Sequence, residues 1–243
     1  MSLLLCVFVI FLLGVLLLNI KKALPIVLII IGLILIDLPI IGQIKLKDNI
    51  QRVSVEDLSA EQLIENQSKV LPQEDFDFSK VKEISPTSSF INPDAIDKSH
   101  IIGQLVVPSI NLNLTILKGT TDYNLLVGAT TMKPSDTMGA GNYTLAGHFN
   151  KDKSVLFGGL MDVKIGDKIR ITDKDKIYEY QVYDTKTVND DALDMISDDV
   201  ATKRGKPVIS LMTCYFSSST GKRYFVIGEL VDTYPYNNED MFK

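Results

Sequence analysis

Cysteine is scarce in this chain, and so is histidine. Its 243 residues hold two of each: Cys6 and Cys214, His100 and His148. Two cysteines are too few for a disulfide framework. Cys6 lies inside an apolar run, so a bridge to Cys214 is implausible. Cys214 is then a lone thiol in the polar part of the chain. It is either a small buried hydrophobe or a reactive group, and the count leaves both open. His100 has no Cys or His beside it, so it reads as a linker residue and implies no metal. A basic excess is missing too. The net charge is −5, whereas a nucleic-acid binder carries a basic stripe, so no nucleic-acid partner is expected. No basic stretch precedes the first apolar run, and no small-residue cleavage site precedes the second, which excludes a signal peptide.

Hydrophobic residues make up 46% of the chain, and much of that sits in the first 44 residues. Leu3–Ile20 and Leu24–Ile44 are apolar runs separated by Lys21-Lys22. Each approaches the ~20 residues that cross a bilayer. The runs predict a helical hairpin in the cell membrane, with both ends outside if the lysine pair stays in the cytoplasm. The alternative is one span, Leu24–Ile44, with the first run lying in the interface. Either topology leaves the remainder extracellular.

Residues 45–100 are polar and carry Pro72, Pro86 and Pro93, as a stalk would. Ser59-Ala60-Glu61-Gln62 is a capping box that predicts a short helix from about Ala60 to Lys69, ended by Pro72. Asp75–Ser89 has few large apolar residues and reads as extended chain. This stalk is either a spacer or an appendage that packs on the domain and regulates access.

From residue 101 to 233 the pattern changes to short strands. Ile101–Val107, Leu112–Leu117, Asn142–Ala146, Lys168–Thr172, Ile177–Val182, Val208–Cys214 and Arg223–Leu230 fit strand chemistry, with turns at Gly166-Asp167 and Thr220-Gly221. Tyr123–Val127, Ser154–Met161 and Ala192–Ile196 allow a helical turn or two. So many short strands predict a mainly β domain, a closed barrel or a sandwich. Residues 234–243 form a polar tail.

His148 ends one predicted strand, just after a glycine. Cys214 ends another, and Arg223 opens the next after a short loop. In a barrel such ends can converge at one rim. A thiolate attacks far better than a thiol, and a nearby imidazolium favours the thiolate and can protonate a leaving amine. An arginine stays charged and can hold a carbonyl oxygen as negative charge develops on it. The backbone N–H of Tyr215 is a candidate second donor to that oxygen. Each residue alone has a plain structural role available: packing for Cys214, a loop hydrogen bond for His148, surface charge for Arg223.

Together the motifs resemble the sortase family. Thr144-Leu145-Ala146-Gly147-His148 is similar to its histidine motif, Leu211-Met212-Thr213-Cys214 to its cysteine motif, and Lys222-Arg223 to its arginine. Gly103–Pro108, Gly119, Met132-Lys133-Pro134, Gly141-Asn142-Tyr143 and Asp77-Phe78-Ser79-Lys80-Val81 extend the likeness to class A, housekeeping members, over residues 75 to 233. Ser210 stands where the family usually has Thr, and two spans would be atypical. Some members bind calcium through acids in the loop before the histidine strand. Thr130–Gly141 has only Asp136, too few ligands for such a cation, so no metal and no cofactor is expected.

The resemblance implies an eight-stranded barrel and a cysteine transpeptidase. It would cleave a Leu-Pro-x-Thr-Gly sorting signal between Thr and Gly through a thioester. The amine of a lipid-linked peptidoglycan precursor would then take the acyl group. Cys214 would be the nucleophile, His148 the acid/base and Arg223 the oxyanion stabiliser. Thr213 would line the site and Ala146 lie beneath it. Val188, Leu193, Met195 and Ile196, in the loop Asp184–Lys206, would cradle Leu-Pro or simply pack a short helix on the barrel. Papain-like and amidase-type hydrolases place Cys before His, the reverse of the order here. A pilin-polymerising sortase would add a lid and a carboxyl-terminal apolar segment, where this sequence has a polar tail. A non-catalytic membrane-tethered barrel binding wall components would keep Cys214 buried and unreactive.

Overall fold

The computed structural model describes residues 20–77 and 97–243. Most of the first expected span, part of the extended stalk and most of the Asp77–Val81 motif lie outside them. The described chain divides into a unit ending at Ile44 and a unit from Lys45 to Lys243.

The first helix, α1, runs Ile20–Arg52 and contains Pro25 and Pro39. Between Ala23 and Arg52 it is long and apolar enough to cross a membrane, and its most apolar 18 residues have a mean hydropathy of 2.9. Leu28, Ile29, Leu35 and Ile36 stand exposed along it. Such a surface suits hydrocarbon, because the helix satisfies its own backbone and presents apolar side chains outward.

In the second unit, eight strands close a barrel: β1 (Ile101–Val107), β2 (Leu112–Leu117), β3 (Ala129–Thr131), β4 (Asn142–Ala146), β5 (Lys168–Thr172), β6 (Lys176–Asn189), β7 (Val208–Cys214) and β8 (Lys222–Pro235). Their order around the barrel is β1-β2-β3-β4-β7-β8-β6-β5. Two neighbouring pairs are parallel, β2 with β3 and β4 with β7. Closure pairs each strand on both sides, except that the second half of β6, Asp184–Asn189, pairs with β8 alone.

Alternation sorts the side chains into two faces. Leu145, Ile209, Leu211 and Val226 point into the main apolar cluster inside the barrel. Ala146, Val208, Met212, Phe225 and Ile227 point the other way, into a second cluster.

The segment expected as a stalk is built into this core. Leu46, Val53, Val55 and Leu63 are buried members of the barrel's main cluster. The capping box forms: Gln62 N–H donates to Ser59 Oγ and Ser59 N–H to Gln62 Oε1, opening α2 (Ala60–Ser68). Barrel side chains then cap the backbone of this segment. Thr115 Oγ1 donates to Val53 O at 2.6 Å, Lys174 Nζ to Val55 O and Leu58 O, and Lys118 Nζ to Lys69 O at 2.6 Å. The described stalk is therefore packed chain and not a free spacer.

Candidate active site

Parallel pairing decides where the chemistry sits. Strands β4 and β7 run side by side in register, Ala146 opposite Met212, and both end at the same rim. Gly147 N–H donates to Met212 O at 3.0 Å, which carries the ladder one residue past β4. His148 and Cys214 follow at the next positions of the two chains. Antiparallel β8 starts at that rim, and Arg223 lies directly opposite Cys214. Tyr215 N–H donates to Lys222 O at 3.0 Å, so 215–222 is the hydrogen-bonded pair and 214–223 the adjacent, closer-set pair. Val188 of β6 lies opposite Arg223 on its other side. One row thus carries imidazole, thiol, guanidinium and an apolar residue.

The glycine of the histidine motif has a local reason. A Cβ on Gly147 would stand 2.6 Å from the Phe157 ring, so only glycine lets that ring lie against the strand end. Phe157 N–H donates to His148 O at 3.1 Å and fixes the backbone there. His148 is 8% exposed and Cys214 half-buried. The Arg223 side chain is 18% exposed, with Nη2 3.9 Å from Asp190 and Nη1 donating to Lys222 O at 3.2 Å.

Below that row the face is apolar. Ala146, Met212 and Phe225 form the next row, one residue pair down the ladders. The segment after β6 lies across this floor. It contains a 3-10 turn, Leu193–Ile196, and a short helix, Asp199–Arg204. Met195 is buried in the floor's cluster, and Val188, Ala192 and Ile196 pack against it. Asn142 pins this wall: its Nδ2 donates to Met195 O at 3.1 Å and Ser197 O at 3.0 Å, and its Oδ1 accepts from Ser210 Oγ at 2.8 Å. Lys133 Nζ and Asn142 N–H both donate to Asp198 Oδ1. Asp136 lies beneath, accepting from Thr144 Oγ1 at 2.7 Å and from Lys133 N–H. Burial pushes its carboxyl up to about 6, although Lys133 and the hydrogen bonds from Thr144 pull the other way.

A sheltered row of Cys, His and Arg beside an apolar face suits acyl transfer to and from a peptide. The comparisons with known proteins agree. The Sortase domain family matches residues 105–231. Sortase A of Listeria monocytogenes is 40% identical over 88% of this chain and 92% of its own length. Sortase A of Bacillus anthracis is 40% identical over 65% of this chain and 71% of its own. The crystal structure of the Listeria monocytogenes sortase A superposes with a TM-score of 0.54 at 41% identity, covering 59% of this chain and 97% of that one. The chain belongs to the sortase family. Its relatives are class A members, and the protein is a cysteine transpeptidase.

Three residues expected to line the sortase site sit differently. Thr213 neighbours Cys214 and so points to the opposite face, shared with Ile209 and Leu211; it is 1% exposed, and its Oγ1 has no hydrogen-bond partner. The Tyr215 N–H, expected as an oxyanion donor, is spent in the β7–β8 ladder. Leu193 is 60% exposed, while its neighbours Met195 and Ile196 make the wall. Sequence reasoning missed Asn142, Met212 and Phe225. The last two were accessible from alternation alone, because they lie two residues from Cys214 and Arg223 on the same strands.

Proposed function

We propose that Cys214 is the nucleophile of this sortase, His148 its acid/base and Arg223 its oxyanion stabiliser. The substrate is a Leu-Pro-x-Thr-Gly-type sorting signal on a surface protein. The Cys214 sulfur attacks the threonine carbonyl carbon, and Arg223 holds the oxygen as charge builds on it. The Thr–Gly C–N bond breaks, and His148 gives the leaving amine its proton. The amine of a lipid-linked peptidoglycan precursor then attacks the thioester carbonyl. It loses a proton to His148, the C–S bond breaks, and a new amide remains. The shared rim of β4 and β7, with residue 223 opposite residue 214, is the observation that carries this reading. Ala146, Met212 and Phe225 offer a floor for the Leu-Pro part, and Val188 and Ile196 offer a wall. The catalytic unit lies outside the cell, with Lys21-Lys22 in the cytoplasm and the apolar helix that begins at Ile20 as a membrane anchor. Both substrates are then confined to the same membrane, which raises their effective concentration.

The test gives the full-length protein a Leu-Pro-x-Thr-Gly peptide and hydroxylamine. The expected product is a hydroxamate ending at Thr, abolished by Cys214→Ala. Turnover in that variant at the wild-type rate, or cleavage elsewhere in the peptide, would overturn the assignment.

A further inference from the structure

We propose that Phe149 and Phe216 form an aromatic latch that holds the His148 and Cys214 segments together, making both phenylalanines positioning residues of acyl transfer. The proposal rests on the roles given to Cys214 and His148 above.

Gly147 N–H to Met212 O is the last backbone rung between these two chains among the described residues. Both reacting side chains therefore stand just past the end of the ladder, where backbone pairing no longer sets their separation. A side-chain contact takes over at that point. Phe149 follows His148, Phe216 lies two residues after Cys214, and their rings meet edge to face with centroids 5.9 Å apart at 79°. This is the arrangement that ring quadrupoles favour. The contact continues: Tyr215 and Phe216 lie 4.6 Å apart, and Tyr215 stacks on Tyr224 of β8 at 6.5 Å. A chain of rings thus runs from the strand that bears Arg223 to the loop that bears His148.

Phe216 is also strained. Its φ is +61°, a left-handed conformation that a bulky side chain adopts only when its surroundings hold it there. A glycine would serve that turn at less cost. Burial does not explain the choice of phenylalanine, because the residue is 57% exposed. Its ring meets those of Phe149 and Tyr215. A strained, exposed aromatic whose ring touches the neighbour of the acid/base fits a latch better than packing.

The experiment uses the full chain in detergent and compares Phe149→Ala, Phe216→Gly, the double variant and Phe216→Tyr. Phe216→Gly keeps the turn and removes the ring. Two readouts apply: hydroxamate formation from the sorting peptide, and the pH dependence of Cys214 alkylation by iodoacetamide. Each single variant is expected to lose kcat about three- to tenfold, with KM changed less than about twofold. Both should move the pH midpoint of alkylation in the same direction. The double variant should be no worse than the worse single variant, and Phe216→Tyr should keep the wild-type rate. Losses that multiply in the double variant, or alkylation midpoints that coincide with wild type in both singles, overturn the latch. Turnover in a Cys214→Ala control overturns the assignment beneath it and the latch with it.

Discussion

Asn142→Ala should loosen the wall that carries Met195 and Ile196 without touching His148, Cys214 or Arg223. Asn142 is fully buried, and its side chain makes hydrogen bonds to Met195 O, Ser197 O and Ser210 Oγ. Each is worth about 1 kcal/mol net, so their loss costs about 3 kcal/mol. The Ser210 hydroxyl, also fully buried, loses its acceptor and adds to that cost. In a unit of this size 1 kcal/mol moves Tm by about 2–4 °C, so a drop of about 6–12 °C is expected by scanning fluorimetry in detergent. The backbone contacts of residue 142 with Asp198 and Lys133 remain, so the wall should loosen and not unfold. Because Met195 and Ile196 belong to that wall, KM for the sorting peptide should rise more than kcat falls. Asn142→Asp separates the parts: it keeps an acceptor for Ser210 and loses both donors to the wall. A Tm within 2 °C of wild type and an unchanged KM for Asn142→Ala would refute the pin.

Other consequences are smaller. Asp136 binds its proton more tightly when folded, with a value of about 6 against 3.8, so stability from this group is present below about pH 4 and lost as pH rises through 6. Asp136→Asn should flatten that part of the stability–pH curve, measured by urea melts from pH 4 to 7; an unaltered slope would refute the assignment. Leu63→Ala removes a fully buried side chain from the main cluster and should cost about 2–5 kcal/mol in the same melts. For the same reason a fragment from Asp75 should melt below one from Lys45, and equal melting would show the packed stalk to be dispensable. Gly147→Ala drives a methyl into the Phe157 ring and should cost about 1–3 kcal/mol, with turnover falling as His148 shifts.

The barrel is largely legible in the sequence. Five strands match their sequence boundaries residue for residue, because alternating β-branched and aromatic residues bounded by Gly and Pro mark them. β3 escaped, since three residues cannot display an alternation. β6 runs to Asn189 where the pattern ended at Val182, because its second half, Asp184–Asn189, is polar and held by pairing with β8. The helix Asp199–Arg204 was hidden by its length, although Gly205 at φ +76° and the basic last turn are ordinary stop signals. Expectation and structure part most over the stalk. Val53, Val55 and Leu63 are too sparse to announce a core, and only the barrel supplies the surface they fill. For the site, the strand ends are readable in the sequence, and strand alternation turns Thr213 inward beside Cys214.

The parallel β4–β7 pair divides labour within the protein. Two strands far apart in the chain act as rails, and their shared backbone register brings His148 and Cys214 to one rim without help from the segments between β6 and β7. Those segments include the wall that carries Met195 and Ile196. They can therefore change in length and composition, and so in what they recognise, while the reacting pair keeps its spacing. A chimera that exchanges residues 190–206 for another wall should change which peptide is accepted long before it changes how the bond is broken.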